Sequence, residues 1–155
     1  MLEDHLYLYD ALLDAQDQSK YILKHAAAAR IVIQSWLTLQ ERGVLLIYAI
    51  CVMGNHVHVL LRGGDGQAHL KMGGVVRKHK SFTSGEIKRV CTVGDSVWDS
   101  GFFDRYVRPG TFWRVLAYVL QNPRKAGLVS DWRQWKHTHV DPRCLEKARE
   151  LGIVM

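Results

Sequence analysis

Two histidines separated by one residue, and a tyrosine followed four residues later by an asparagine, are the side chains of this sequence best suited to chemistry. The run VMGNHVHVLL holds His56 and His58 on either side of Val57. Read as an extended strand, that spacing turns both imidazoles to one face and Val57 and Val59 to the other. Two imidazoles on one face can share one metal ion, although the coordination sphere then needs a third donor from another element, a carboxylate or a side-chain amide. The plainer alternative is a pair of polar residues on the wet side of a strand. A nitrogen and oxygen donor set with open positions suits Mg2+ or Mn2+ at a phosphate better than structural zinc. Cys51 stands nearby in sequence, but at no spacing that suggests a thiolate ligand.

The second pair lies in VLAYVLQNPRKAGLV. On a helix, Tyr118 and Asn122 stack on one face, and Val115, Leu116, Val119 and Leu120 form the apolar stripe that seats the helix on a sheet. A tyrosine so placed commonly has its ring in the core and its hydroxyl at the rim, and an asparagine before Pro123 commonly ends a helix. Taken with the histidine pair, the four residues also fit a different chemistry. A Tyr118 phenolate could attack a phosphodiester while an ion held by His56, His58 and Asn122 polarises a non-bridging oxygen. A phosphotyrosine ester keeps the energy of the broken bond for rejoining, which a hydrolase using water has no need of. An ordinary phenol, with a pKa of about 10, is a weak nucleophile, so the field of the metal has to favour the phenolate. Tyr106, in a short Phe-rich extended run, is the rival nucleophile; Asp10 and Asp14 are further candidates near the metal.

The charge distribution bears on the partner. The chain carries 21 basic and 15 acidic residues, a net +6. Residues 62–89 hold seven basic residues against Asp65 and Glu86, so nearly all of that excess sits in one segment. Arg77, Lys78, Lys80, Lys88 and Arg89 make a helical face that a phosphate backbone would attract, through release of its condensed counterions. A solvated helix face is the alternative.

The elements that must position these residues follow from the remaining sequence. A length of 155 residues and 48% hydrophobic content make one folded domain the expectation and disorder a poor one. No apolar run approaches the roughly 20 residues that span a bilayer, so no membrane partner is expected. The acidic start lacks the basic residues of an export signal, and the three scattered cysteines suit a reducing compartment, so a cytoplasmic location is expected. Residues 6–13 read as a first strand. Ser19 is a candidate N-cap for a helix running to Arg42 and closed by Gly43, with Ile22, Ala26, Ala29, Ile33, Trp36 and Leu37 on its buried face. Residues 44–52 and 57–61 read as a hairpin turning through Met53, Gly54 and Asn55. The basic helix is expected from about Ala68, and a short extended run over 102–107. A helix from Thr111 to about Asn122 should be ended by Pro123 and Gly127. This order is α+β, an antiparallel sheet with helices packed on one face.

At this point the residues resemble a family. His56-Val57-His58, preceded by Met53-Gly54-Asn55, resembles the motif of the HUH single-tyrosine transposases. The run from Tyr118 to Val129 resembles the C-terminal signature of REP-associated tyrosine transposases, relatives of the small insertion-sequence transposases. Val97-Trp98-Asp99, Phe102-Phe103-Asp104-Arg105 and Lys80-Ser81-Phe82-Thr83 resemble the stretches that family carries between the two motifs. The likeness spans residues 6–129 of a single domain covering 1–155, with 130–155 as a C-terminal tail. It implies a ferredoxin-like sheet with the histidines on a central strand. It implies Tyr118 as nucleophile, His56, His58 and Asn122 as ligands of Mg2+ or Mn2+, and a 5′-phosphotyrosine intermediate on single-stranded or hairpin DNA. The expected activity is metal-dependent nicking and rejoining in DNA transposition or in mobilising repeat hairpins, by a monomer or a homodimer. Other classes stay open: a replication-initiator or relaxase-type HUH nuclease, a non-catalytic or domesticated single-stranded nucleic-acid-binding protein, and a structural metal protein.

Overall fold

The strands and helices alternate as the hydrophobic pattern requires, and the structure, a computed structural model, describes residues 6–12, 22–66, 71–91, 97–99 and 103–155. Strand β1 (Leu6–Leu12) is followed by helix α1 (Ala26–Glu41), the hairpin β2 (Leu45–Val52) and β3 (His56–Gly63), helix α2 (Met72–Val90) and strand β4 (Phe103–Tyr106). Helix α3 (Phe112–Lys125), strand β5 (Thr138–Val140) and helix α4 (Pro142–Glu150) complete the chain. The sheet order is β4-β1-β3-β2-β5 and every pairing is antiparallel. The first six elements are the β-α-β-β-α-β unit of a ferredoxin-like fold, and β5 extends the sheet at the β2 edge.

The α+β class is as expected, but the helices cover both faces of the sheet. Tyr7, Tyr9, Val57, Val59 and Leu61 face α1 and α2, in a core shared with Trp36, Val76 and Ile87. Leu6, Leu8, Ala49, Cys51 and Leu60 face α3 and α4, in a second core with Leu116, Val119, Leu120 and Ala148. The physical reason lies in β3: every residue from Val57 to Leu61 is buried, and a strand with consecutive buried residues needs cover on both sides. A bulge in β2 between Ile47 and Ala49 puts Tyr48 and Ala49 on the same side, the α3 side.

Two boundaries differ from expectation. The first helix begins at Ala26, after a 3-10 turn over Ile22–Lys24, and the expected cap Ser19 lies outside the described residues. Its buried residues are Ala28, Ala29, Val32, Ser35 and Trp36, with Ile33 and Leu37 at the margin, because the small alanines bring the helix close to the sheet. The third helix runs through Pro123 to Lys125. Proline removes only the bond to the Val119 carbonyl, and the turn beyond it is closed by Ala126 N–H to Asn122 O at 3.0 Å and by Gly127 at φ 74°. Asn122 is therefore inside the helix, not its terminal cap.

The segment after Val129, expected only as a tail, is folded. Asp131 and Gln134 form a capping box on a short 3-10 turn, and Asp141 caps α4 with Pro142 at its first position. Close packing also fixes the junction of α1 with the hairpin: a Cβ on Gly64 would stand 2.1 Å from the Gly43 carbonyl oxygen. Gly64→Ala is expected to destabilise the protein by about 1–3 kcal/mol, through overpacking against backbone that cannot yield. Urea unfolding measures it, and an unchanged midpoint would show that the turn gives way.

Candidate active site

The alternation of β3 puts His56 and His58 on the α3 side, with Val57 and Val59 on the other. The two rings lie with centroids 4.8 Å apart and nearly perpendicular. Helix α3 seats Val115, Leu116, Val119 and Leu120 against the sheet, which leaves Tyr118 at the rim, 40% exposed. The Tyr118 ring stands 5.4 Å from the His58 ring, centroid to centroid, and the Asn122 amide nitrogen lies 2.9 Å from His58 Nε2. The four residues singled out from sequence thus meet at one place, two from a central strand and two from one helical turn.

Neighbours complete the arrangement. Asp10 pairs with His58 across β1 and β3, and its carboxylate is hydrogen-bonded to His58 Nδ1. The Asn55 side-chain oxygen is 2.7 Å from His56 Nδ1. Burial lowers the pKa of His56 below the usual histidine value and the adjacent His58 lowers it further, against a smaller opposing effect of Asp10. His56 is thereby favoured in the neutral form, the one that can ligate a metal. Lys125, one turn beyond Asn122, holds its ammonium 5.8 Å from the centre of the Tyr118 ring.

Other candidates fall elsewhere. Cys51 is the register partner of His58 on β2, but it is fully buried against Met53, and burial pushes its thiol up to about 12. It remains a protonated packing group. Tyr106 is the register partner of Tyr7, whose side chain belongs to the opposite core, so its ring lies on the sheet face away from His58. Asp14 lies outside the described residues. Helix α2 also lies on the side opposite Tyr118. Arg77, Lys78, Lys88 and Arg89 are exposed on it, Arg89 pairing with Glu86 at 3.2 Å. Lys80 is half-buried, donating to the Asp99 carbonyl at 2.8 Å. The basic face and the histidine–tyrosine cluster therefore do not adjoin. Asp10, Asn55 and Lys125 are the residues that sequence reasoning leaves unassigned or misses. For Asp10 the signal is its alternation with Leu6 and Leu8, which puts it on the histidine face.

The donor set can be tested against the expected ion. Two imidazoles and one amide, with no thiolate, form the mixed set that Mn2+ or Mg2+ accepts alongside substrate oxygens. Among the described residues no three His, Cys, Asp or Glu side chains are grouped to hold a metal, so the third protein donor would be the Asn122 amide. The residues fit the ion in chemical type.

No protein-family model and no curated protein matches the chain. Solved structures do. The structure of a REP-associated tyrosine transposase bound to a REP hairpin superposes with a TM-score of 0.66 at 14% identity, over 99% of this chain and 84% of that one. A candidate transposase from Deinococcus radiodurans R1 superposes with a TM-score of 0.53 at 14% identity, over 74% of this chain and 88% of that one. The chain has the fold of a REP-associated tyrosine transposase.

Proposed function

We propose that this protein nicks and rejoins single-stranded DNA as a transposase-like enzyme of the single-tyrosine HUH type. The observation that carries the reading is the meeting of Tyr118, His56, His58 and Asn122 at the exposed rim of α3. Tyr118 Oη attacks the phosphorus of a phosphodiester and the bond from phosphorus to the 3′-oxygen breaks. The phenol proton passes to solvent and the departing 3′-oxygen takes one up. The products are a 5′-phosphotyrosine and a free 3′-hydroxyl, and a later 3′-hydroxyl attacking the same phosphorus restores Tyr118 and the DNA. His56, His58 and Asn122 would hold Mg2+ or Mn2+, which when bound supplies charge for the non-bridging phosphate oxygens. Lys125 adds a positive charge over the Tyr118 ring, where it can attract the phosphate of an incoming strand.

The fold neighbour bound to a REP hairpin supports hairpin DNA as the substrate class. Arg77, Lys78, Lys88 and Arg89, with the exposed ring of Phe82 among them, offer phosphate and base contacts on the α2 side, whereas Lys80 is committed to the Asp99 carbonyl. DNA that engages both surfaces has to pass round an edge of the sheet, so the basic helix would hold a flanking stem while a single strand lies at Tyr118. The reading applies to a monomer and a homodimer alike.

The test is covalent trapping on a panel of 3′-labelled single-stranded hairpins with Mn2+ or Mg2+. The label is expected to migrate with the protein on a denaturing gel, and chelator should prevent it. Absence of any adduct across the panel, with salt-sensitive binding retained, would favour the non-catalytic nucleic-acid-binding reading instead.

A further inference from the structure

We infer that Asp10 is a positioning residue, whose carboxylate fixes His58 in the tautomer with its proton on Nδ1 and its Nε2 lone pair turned to Asn122. Register makes the contact: Asp10 on β1 stands directly across from His58 on β3, and both side chains lie on the α3 side of the sheet. An ionised carboxylate only accepts hydrogen bonds, so the nitrogen it meets must carry the proton. The other side of the ring agrees independently. Asn122 presents its amide nitrogen, a donor, to Nε2 at 2.9 Å, and a donor needs a lone pair there. With the His58 side chain only 7% exposed, water has little room to substitute for either partner.

The arrangement has two consequences. A carboxylate paired with a buried imidazole orients the ring and makes its outer nitrogen a better donor to a cation, the usual role of a partner behind a ligating histidine. In addition, the Nε2 lone pair is already taken by the Asn122 N–H. A cation that occupies it must displace that bond, and Asn122 can offer its oxygen only after its amide turns over. The consequence for metal affinity rests on the function proposed above; the state of the ring does not.

The experiment uses the metal-free full chain labelled with 15N, and reads the ring nitrogens of His58 by two-bond proton–nitrogen correlation near neutral pH. The wild type is expected to show a protonated Nδ1 and an unprotonated Nε2. Asp10→Asn keeps the volume but supplies an amide that can donate as well as accept, and the Asn122 amide can turn over to match it, so His58 should sample both tautomers and the shifts should converge. Calorimetric titration with Mn2+ should then find binding about 10- to 100-fold weaker in Asp10→Asn. A wild-type ring protonated on Nε2 alone overturns the inference, and this spectrum needs no variant to fold. An unchanged tautomer in Asp10→Asn, or Mn2+ affinity equal to wild type, overturns the positioning role while leaving the strand-transfer reading in place. A wild type with the expected tautomer that binds no Mn2+ overturns the metal assignment, and the tautomer of Asp10→Asn alone then decides the role of Asp10 in setting the ring.

Discussion

Tyr118→Phe should abolish the covalent DNA adduct while leaving DNA binding and folding close to wild type. The substitution deletes one hydroxyl from a ring that is 40% exposed and keeps the ring's contact with His58, 5.4 Å away. Stability should therefore change by no more than about 1 kcal/mol. Activity behaves differently, because the cluster of Tyr118, His56, His58 and Asn122 holds no second hydroxyl to form the phosphate ester. On the proposed reading the imidazoles, committed to Asp10 and Asn55 on their Nδ1 sides, would not replace the phenol. Loss of a nucleophile that acts with its partners as a unit costs at least about a thousandfold in rate. Tyr106→Phe is the control. Its ring packs on Tyr7 with centroids 4.9 Å apart, on the other face of the sheet, so its removal should leave the adduct intact. Denaturing gels of trapped complexes and a fluorescence binding curve measure both quantities. An adduct that survives in Tyr118→Phe and vanishes in Tyr106→Phe would reverse the assignment.

The site is legible in the sequence because its parts are local and governed by two simple periods. His56 and His58 share a face because strand side chains alternate, and Tyr118 and Asn122 share one because a helix returns every four residues. The hairpin through Met53, Gly54 and Asn55 also follows from short-range signals. What stays hidden depends on partners far away in the chain. The Asp10 contact needs the β1–β3 register, which no local pattern specifies. The second helical layer follows from burial on both faces of β3, and a run of apolar residues does not say what will cover it. Pro123 reads as a stop, but in the last turn of a helix a proline forfeits only one bond, and its ring here is buried in the packing. The C-terminal segment has readable caps in Asp131 and Asp141, yet the pairing of β5 with β2 is again long-range. The concentration of basic charge in residues 62–89 is plain from sequence, but only the fold separates the face that carries it from Tyr118.

Trp36→Ala should destabilise the protein more than Gly64→Ala does, and without touching the site. The indole is fully buried between the sheet and α2, with its ring 5.2 Å from Tyr9 and 4.2 Å from His79, centroid to centroid. It therefore joins three elements, β1, α1 and α2, at one point of the core that backs the site strand. His79 completes that junction, with Nδ1 2.8 Å from the Ser35 hydroxyl and its pKa lowered to about 3 by burial and by the charge of Lys80. Removing the indole leaves a cavity lined by rigid strand and helix, so little collapse can refill it. The cost of such a truncation is about 3–5 kcal/mol, a large part of the roughly 5–15 kcal/mol typical of a whole domain. Trp36→Phe keeps an aromatic ring against Tyr9 and His79 and should lose about half as much or less. The cluster of Tyr118, His58 and Asn122 lies on the other side of the sheet. Below the lowered melting temperature, the Trp36 variants should therefore still form adduct at a rate near wild type. Urea unfolding and the trapping assay at reduced temperature separate the two effects. If Trp36→Ala loses less than about 1 kcal/mol, the indole is not what binds α1 and α2 to the sheet; if it stays folded yet forms no adduct, the two faces are coupled through β3.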